Sequence, residues 1–220
     1  TIRGYKTDLV PSESIRKILE AGRWAPSGAN TQPWEFLVVT KKDLREKITK
    51  IFLEALASDV EADPTFPFAD KSYMKDVPAF IFVIGDPRLM KVYPKPHPKS
   101  VIWIQSIAAS IQNMLLVATA LNLGAAWITI SRTMERRLKK LLKIPEQLRV
   151  INVLPIGVPL RVPEAGHRKP LNELVHHEIY DQERFQSNEQ VEELISSIKE
   201  NLRKVRGSRM RAAPNIKKNP

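Results

Sequence analysis

The longest apolar run in the chain, residues 101–121 (VIWIQSIAASIQNMLLVATAL), limits what the chain can fold into. Gln105, Ser106, Ser110, Gln112 and Asn113 interrupt it, at a density that would be costly in lipid, so no membrane span is expected. As a helix it is apolar around most of its circumference. That suits a central helix covered by other elements or by a second subunit. A chain of 220 residues is long enough to supply that cover. Its 43% apolar and 27% charged residues are globular values, which exclude a disordered, collagen-like or fibrous chain.

The remaining elements alternate. Ser12 is placed to cap a helix in which Ile15, Ile18, Leu19 and Gly22 recur at helical spacing. Pro, Gly and Asn then break the pattern over residues 26–33, predicting a loop. A short strand is expected at 36–40, a charged helix at 43–57, and an irregular excursion with two prolines at 63–68. Residues 79–84 (AFIFVI) read as a continuous apolar strand, and PKPHP at 94–98 as irregular chain. Two further strands are expected at 125–130 and 150–158, with a helix at 134–142 between them. Pro155 and Gly157 inside the last strand predict an edge position or a bulge. An amphipathic helix at 189–202 follows. Strands separated by helices, without internal repeats, mean α/β or α+β in one domain spanning 1–202, with a basic tail at 203–220.

Several chemistries lack their residues. Zero cysteines exclude disulfides, thiolate metal sites and a Cys nucleophile, and are compatible with a cytoplasmic location. The four histidines, His97, His167, His176 and His177, pair with no acid at ligand spacing, so no metal site is expected. No G-x-S-x-G, G-x-G-x-x-G or P-loop is present. No signal peptide is evident, although the chain begins at Thr1. The formal charge of +11 is uneven, because seven basic residues and no acid lie in 203–220. A basic nucleic-acid-binding protein is the non-enzymatic alternative. Against it, the tail has no aromatic residue for stacking and no recognition module, so a solvated or partner-embracing arm is expected.

The informative segment is WAPSGANTQPW, Trp24 to Trp34. Small residues allow close backbone approach, and Ser, Thr, Asn and Gln offer both donors and acceptors, as the edge of a flat heterocycle requires. Composition alone leaves an ordinary turn equally open. Order changes that. With Thr1-Ile2-Arg3-Gly4-Tyr5 upstream, LPIGVP at 154–159 and Arg168-Lys169-Pro170-Leu171 downstream, the segment resembles the FMN-dependent nitroreductase family. The resemblance covers residues 1–175, with the four motifs in family order and spacing. The arginine that the family places just before Thr1 is not in the numbered chain.

The resemblance implies an α+β fold with a central, mostly antiparallel sheet flanked by helices. It also implies a long buried central helix and an intertwined homodimer holding FMN between subunits. Thr1, Ile2 and Arg3 match the segment beside the flavin, with Thr1 toward the phosphate and Arg3 at the pyrimidine edge. Arg168 matches a phosphate-gripping residue. Pro26, Ser27, Gly28, Asn30 and Gln32 match the loop laid on the flavin from the partner, and Thr129 falls near the reactive face. A guanidinium binds phosphate through paired charge-assisted hydrogen bonds, and a cation at the pyrimidine edge favours the reduced ring. The flavin then carries the reaction without a protein acid or base, and the expected catalytic residues are none.

The implied activity is ping-pong transfer from NADH or NADPH to a small flat acceptor such as a nitroaromatic or quinone. A lid is expected at about 54–74, carrying Phe66, Phe68 and Tyr73, which either contact substrate or pack beneath a surface loop. Ala29 and Lys71 are the weaker substrate candidates. The wording PSGANTQPW also resembles the deiodinase branch of the superfamily. Of its three lid determinants only the lysine position, Lys71, is matched, Leu56 and Val60 standing at the acid and tyrosine positions, so halotyrosine turnover is not expected. A flavin-cleaving, dimethylbenzimidazole-forming enzyme is a further alternative on the same fold.

Overall fold

The computed structural model describes residues 1–63, 68–95 and 98–211, with side chains described as far as residue 204. Phe66 and His97, and most of the excursions at 63–68 and 94–98, lie partly or wholly outside the described residues, as does the tail beyond 211. The chain divides into two compact units, one of residues 1–57 and 70–163, the other of residues 58–69 and 164–220.

The first unit is built on strand β2 (Ala79–Gly85), every residue of which is buried. Its side chains alternate between two cores. Phe80, Phe82 and Ile84 point into one, with Ile48, Phe52, Leu138 and Val153; Ala79, Ile81 and Val83 point into the other, with Ile18, Ile107, Ile111 and Leu154. A strand buried on both faces reads as an unbroken apolar run, which is why AFIFVI shows no period of two. The helices sort accordingly: α2 (Lys42–Ala62) and α4 (Arg132–Leu142) cover one face, α1 (Ser12–Arg23) and α3 (Lys99–Ala120) the other.

The sheet order is β1-β2-β5-β3, with β1 at Trp34–Val39, β5 at Arg149–Gly157 and β3 at Gly124–Ala125; β4 (Ile128–Thr129) also pairs with β5. All of these pairings are antiparallel, as the α+β expectation required. Three sequence expectations are corrected here. Ser12 opens α1 as its first helical residue, and Pro11 occupies the cap position with no side-chain cap. The single strand expected at 125–130 is two short strands separated by Ala126 and Trp127. Finally, β5 is no edge strand, since β2 flanks it on one side and β3 and β4 on the other.

Pro155 is tolerated in that central position for a local reason. Its carbonyl accepts from the Tyr5 hydroxyl (3.3 Å), so its nitrogen also faces away from β2, toward the gap between β3 and β4 where no ladder bond is lost. A bulge exists, but at Ile151, between the Val83–Asn152 and Ile84–Val150 pairs.

Helix α3 buries one face, Trp103, Ile107, Ile111, Met114 and Ala118, within the chain. Gly22 lets α1 approach it closely; a Cβ there would stand 2.8 Å from Met114 Cγ. The opposite face carries Val101, Ile104 and Leu116, which are 50%, 44% and 60% exposed. The single chain therefore covers only half of the helix that composition marked as apolar all round. By length and hydropathy alone α3 would pass as a membrane span, but Asn113 donates to the Ala21 carbonyl of α1 (3.2 Å), as expected of a helix packed in a protein core.

In the second unit, α5 (Asn188–Arg211) continues beyond the expected end at 202, there being no proline to stop it and a Glu200–Lys204 pair (2.7 Å) supporting it.

Candidate functional site

The loop between α1 and β1 is held by its own bonds. Ser27 Oγ accepts from Gln32 N–H (3.0 Å), the Ser27 carbonyl from Asn30 N–H (3.0 Å), and the Gly28 carbonyl from both Thr31 N–H (3.1 Å) and Thr31 Oγ1–H (2.9 Å). The turn these bonds close is tight enough to force Ala29, Asn30 and Gln32 to φ of 50°, 50° and 43°. Left-handed backbone costs a residue with a Cβ about 1 kcal/mol or more, so the loop stores strain that the bonds around it must offset. Pro26, Ala29, Asn30 and Gln32 are exposed, and Ser27 and Gly28 are partly covered.

At Gly28 a Cβ would collide with the Tyr93 hydroxyl and Ile102 Cγ2, so the missing side chain accommodates the packing of the loop against α3. Asn30 and Gln32 are exposed, and Gln32 Nε2 donates to the Asn30 carbonyl (3.5 Å).

The N-terminal segment lies at the other side of the sheet. Ile2 N–H donates to the Ala125 carbonyl of β3 (3.0 Å), and Tyr5 bridges to Pro159 beyond β5. The Tyr5 hydroxyl donates to the Ile2 carbonyl (3.1 Å), fixing the turn that carries Arg3. Thr1 and Arg3 are exposed, Ile2 partly covered. Burial, then the neighbouring Tyr73, push the Tyr5 phenol well above its ordinary range, against the opposing effect of the Arg3 charge. Burial likewise raises Tyr73, and the Arg3 guanidinium opposes that shift by its charge and by hydrogen bonding. Tyr73 is 8% exposed, its ring 6.0 Å from that of Tyr5. Of the two roles open to it in sequence, Tyr73 has the packing one, as part of the core with Tyr5. Phe68 is half-buried, and Lys71, also half-buried, precedes the 3-10 turn Ser72–Asp76.

Thr129 is exposed on β4, opposite Asn152. The buried Asn152 donates its Nδ2 to the Ile128 carbonyl (3.1 Å), which holds β4 in place; sequence reading did not identify it, since a polar residue in a central strand carries no motif. Arg168 belongs to the second unit, where it is exposed and donates to the Gly166 (3.2 Å) and His167 (2.9 Å) carbonyls of its own turn. Among the described residues no three His, Asp or Glu side chains are grouped to hold a metal ion.

The sheet decides which candidates meet. Trp34, at the end of the loop, aligns through Gly85 with Arg149, the first residue of β5; Ile2 lies beside Ala125, which aligns with Ile156 near the last. Four strand spacings and seven residues along β5 separate Trp34 from Ile2, a diagonal of about 30 Å. Arg3 and Thr129 share one edge of the sheet, while the loop stands at the far corner, out of reach of the same ring. The two halves are nevertheless chemically matched. Exposed carboxamides supply donors and acceptors, and a cation stands at the other edge, which suits a planar heterocycle with alternating carbonyls and N–H groups.

Comparison with known proteins places the chain in a family. Residues 1–158 match the model of the Nitroreductase family. A protein of Archaeoglobus fulgidus, provisionally named an NADH dehydrogenase/NAD(P)H nitroreductase, is 34% identical over 161 residues, covering 72% of this chain and 80% of the relative. An iodotyrosine deiodinase of Nematostella vectensis is 28% identical over 194 residues, covering 80% and 70%. The crystal structure of an FMN-dependent nitroreductase of Clostridium difficile superposes with a TM-score of 0.63 at 23% identity, covering 82% of this chain and 95% of that one, and shares the fold.

Proposed function

This chain is a member of the nitroreductase family and an oxidoreductase, and from that premise we propose that it is an FMN-dependent enzyme carrying electrons from NADH or NADPH to a small flat acceptor. The observation that carries the proposal is the separation of two chemically matched half-sites across one sheet. Two copies related by a twofold axis would bring the loop of one against Arg3 and Thr129 of the other, giving two equivalent sites per homodimer. The exposed apolar face of α3 supplies a surface for that association: Val101, Ile104 and Leu116 would leave water together.

The residues present fit FMN. In its bound state FMN supplies the redox chemistry, exchanging two electrons between donor and acceptor. Arg3 would place a positive charge at the pyrimidine edge, where its own guanidinium is steadied by Tyr73. Asn30 and Gln32 of the partner would pair with the polar edge and cover one face, while the strained loop keeps them from relaxing away. In the second unit, the exposed Arg168 guanidinium is free to exchange its bonds to two backbone carbonyls for a charge-assisted bidentate pair with a phosphate. No side chain is needed to move a proton at the flavin, consistent with the absence of a carboxylate or histidine from the candidate set. The acceptor would enter the exposed side near Ala29 and Lys71.

The test is direct. The purified protein is expected to be yellow, or to take up added FMN, to bleach on mixing with NADH or NADPH under anaerobic stopped flow, and to reoxidise with a quinone or nitroaromatic. A colourless preparation that takes up no FMN removes the proposal.

A further inference from the structure

The loop bearing Asn30 and Gln32 makes one side-chain bond to the rest of the fold that neither motif nor family match assigns. Gly28 N–H donates to Ser106 Oγ on α3 (3.1 Å), and that hydroxyl in turn donates to the Ile102 carbonyl one helical turn earlier (2.8 Å). Ser106 is 5% exposed, and both bonds are partly buried. Around them the contact is closed. Ile102 Cγ2 and the Tyr93 hydroxyl occupy the space a Gly28 side chain would fill, and the Tyr93 hydroxyl is itself buried without a partner among the described residues. The Pro33 carbonyl, at the end of the loop, accepts from Asp86 N–H (3.1 Å), and the bonds from Ser27 to Gln32 and from Gly28 to Thr31 are internal. The internal bonds shape the turn and the Pro33 bond fixes its last residue, while the Ser106 bond ties Gly28 itself to α3.

Resting on the FMN reading above, we infer that Ser106 is a positioning residue. It holds the strained loop at the orientation in which Asn30 and Gln32 present their carboxamides to the partner's flavin. The physical reason is the cost of the alternative. Without the hydroxyl, the Gly28 N–H is left partly buried with no acceptor, and swinging the loop outward to wet it removes the packing on Ile102 and Tyr93. With the hydroxyl present, the loop needs no reordering when the flavin arrives, and that preorganisation raises affinity without a new contact. Helix α3 thereby serves the loop with one face and, in the proposed dimer, the partner with another: Ser106 lies one residue from exposed Gln105 and two from exposed Ile104.

The test compares Ser106→Thr with Ser106→Val. The two replacements have the same shape and share any crowding at this buried position, but only threonine keeps the hydroxyl. FMN affinity would be measured by fluorescence quenching, the environment of the bound flavin by visible circular dichroism, and protection of the Gly28 amide by hydrogen exchange on flavin-free protein. The expected result is FMN affinity about ten-fold weaker in the valine than in the threonine variant, as for one hydrogen bond lost. An altered dichroic band and faster exchange confined to residues 27–32 should accompany it. Equal FMN affinity and equal exchange in the two variants would overturn the role of Ser106 while leaving the FMN reading intact. Parent protein that takes up no FMN would overturn both.

Discussion

Tyr5 joins three parts of the first unit through one hydroxyl. Its single hydrogen is shared between the Ile2 and Pro155 carbonyls at 3.1 and 3.3 Å, holding the N-terminal segment and giving the Pro155 carbonyl a donor in the gap between β3 and β4. Tyr5→Phe should cost about 1 kcal/mol at neutral pH, the net value of bonds of this length. The dependence on pH has a definite sign. The folded phenol is raised, so the folded state keeps its proton where the unfolded chain begins to lose it, near pH 10. That contribution is complete below the unfolded value and is lost as pH rises above it. Denaturant unfolding at pH 7 and pH 11 should show the deficit of the phenylalanine variant shrinking or reversing at the higher pH. A deficit that does not change would mean that the phenol ionises normally in the fold. Arg3, two residues earlier, bears on function instead. If it lies at the flavin edge, Arg3→Ala should lower the midpoint potential by about 30 mV or more, equivalent to about 1.4 kcal/mol for a two-electron couple. An unchanged potential in a spectroelectrochemical titration would remove Arg3 from that role.

Among the elements, α4 is tied to β5 by a buried charge cluster. Glu135, 7% exposed, accepts from Arg149 Nε (2.7 Å) and Val150 N–H (3.0 Å), while Lys139, 6% exposed, lies 3.9 Å away and donates to the Glu146 carbonyl (3.0 Å). Burial raises the Glu135 carboxyl, but the Arg149 bond, the Val150 N–H and the two positive charges outweigh it and hold the group below its usual range. Glu135→Gln removes the charge that Arg149 and the Val150 N–H bind and leaves Lys139 only the Glu146 carboxylate (3.6 Å), and should cost about 2 kcal/mol at pH 7. Because the folded value is depressed, this stabilisation is present above the unfolded carboxylate range and is lost as pH falls through the folded value. Urea melts should therefore converge for parent and variant toward pH 3; curves that stay parallel would refute the assignment. Much of the element pattern was legible in sequence because its causes are local. AFIFVI, the prolines that end α2 and precede α3, and the helical spacing of 15, 18, 19 and 22 each act within a few residues. What was illegible depends on distant partners. Pro155 reads as an edge residue until Tyr5 is found on its carbonyl, the packing role of Tyr73 shows only with Tyr5 beside it, and the space at Gly28 is set by Tyr93 and Ile102.

At the scale of the molecule, motif order named the residues of both proposed half-sites but not their separation within one chain. That follows from sheet order, which places β1 and β3 at opposite edges and is invisible to any local signal. The exposed stripe on α3 has the same origin, since the sequence marks the helix as apolar but not which side its own chain leaves uncovered.

The corner-to-corner placement of loop and N-terminal segment has a genetic consequence. If every working pocket draws on both copies, two different crippled chains can repair each other. A dimer pairing an Arg3→Ala protomer with one carrying Asn30→Ala and Gln32→Ala would hold one pocket with both lesions and one with neither. Co-expressed under separate purification tags, such hybrids should hold one FMN with parental affinity and midpoint potential, where the Arg3→Ala homodimer holds its flavins only at the lowered potential and the loop variant binds them weakly. Hybrids with no pocket of parental affinity and potential would show that each protomer works alone.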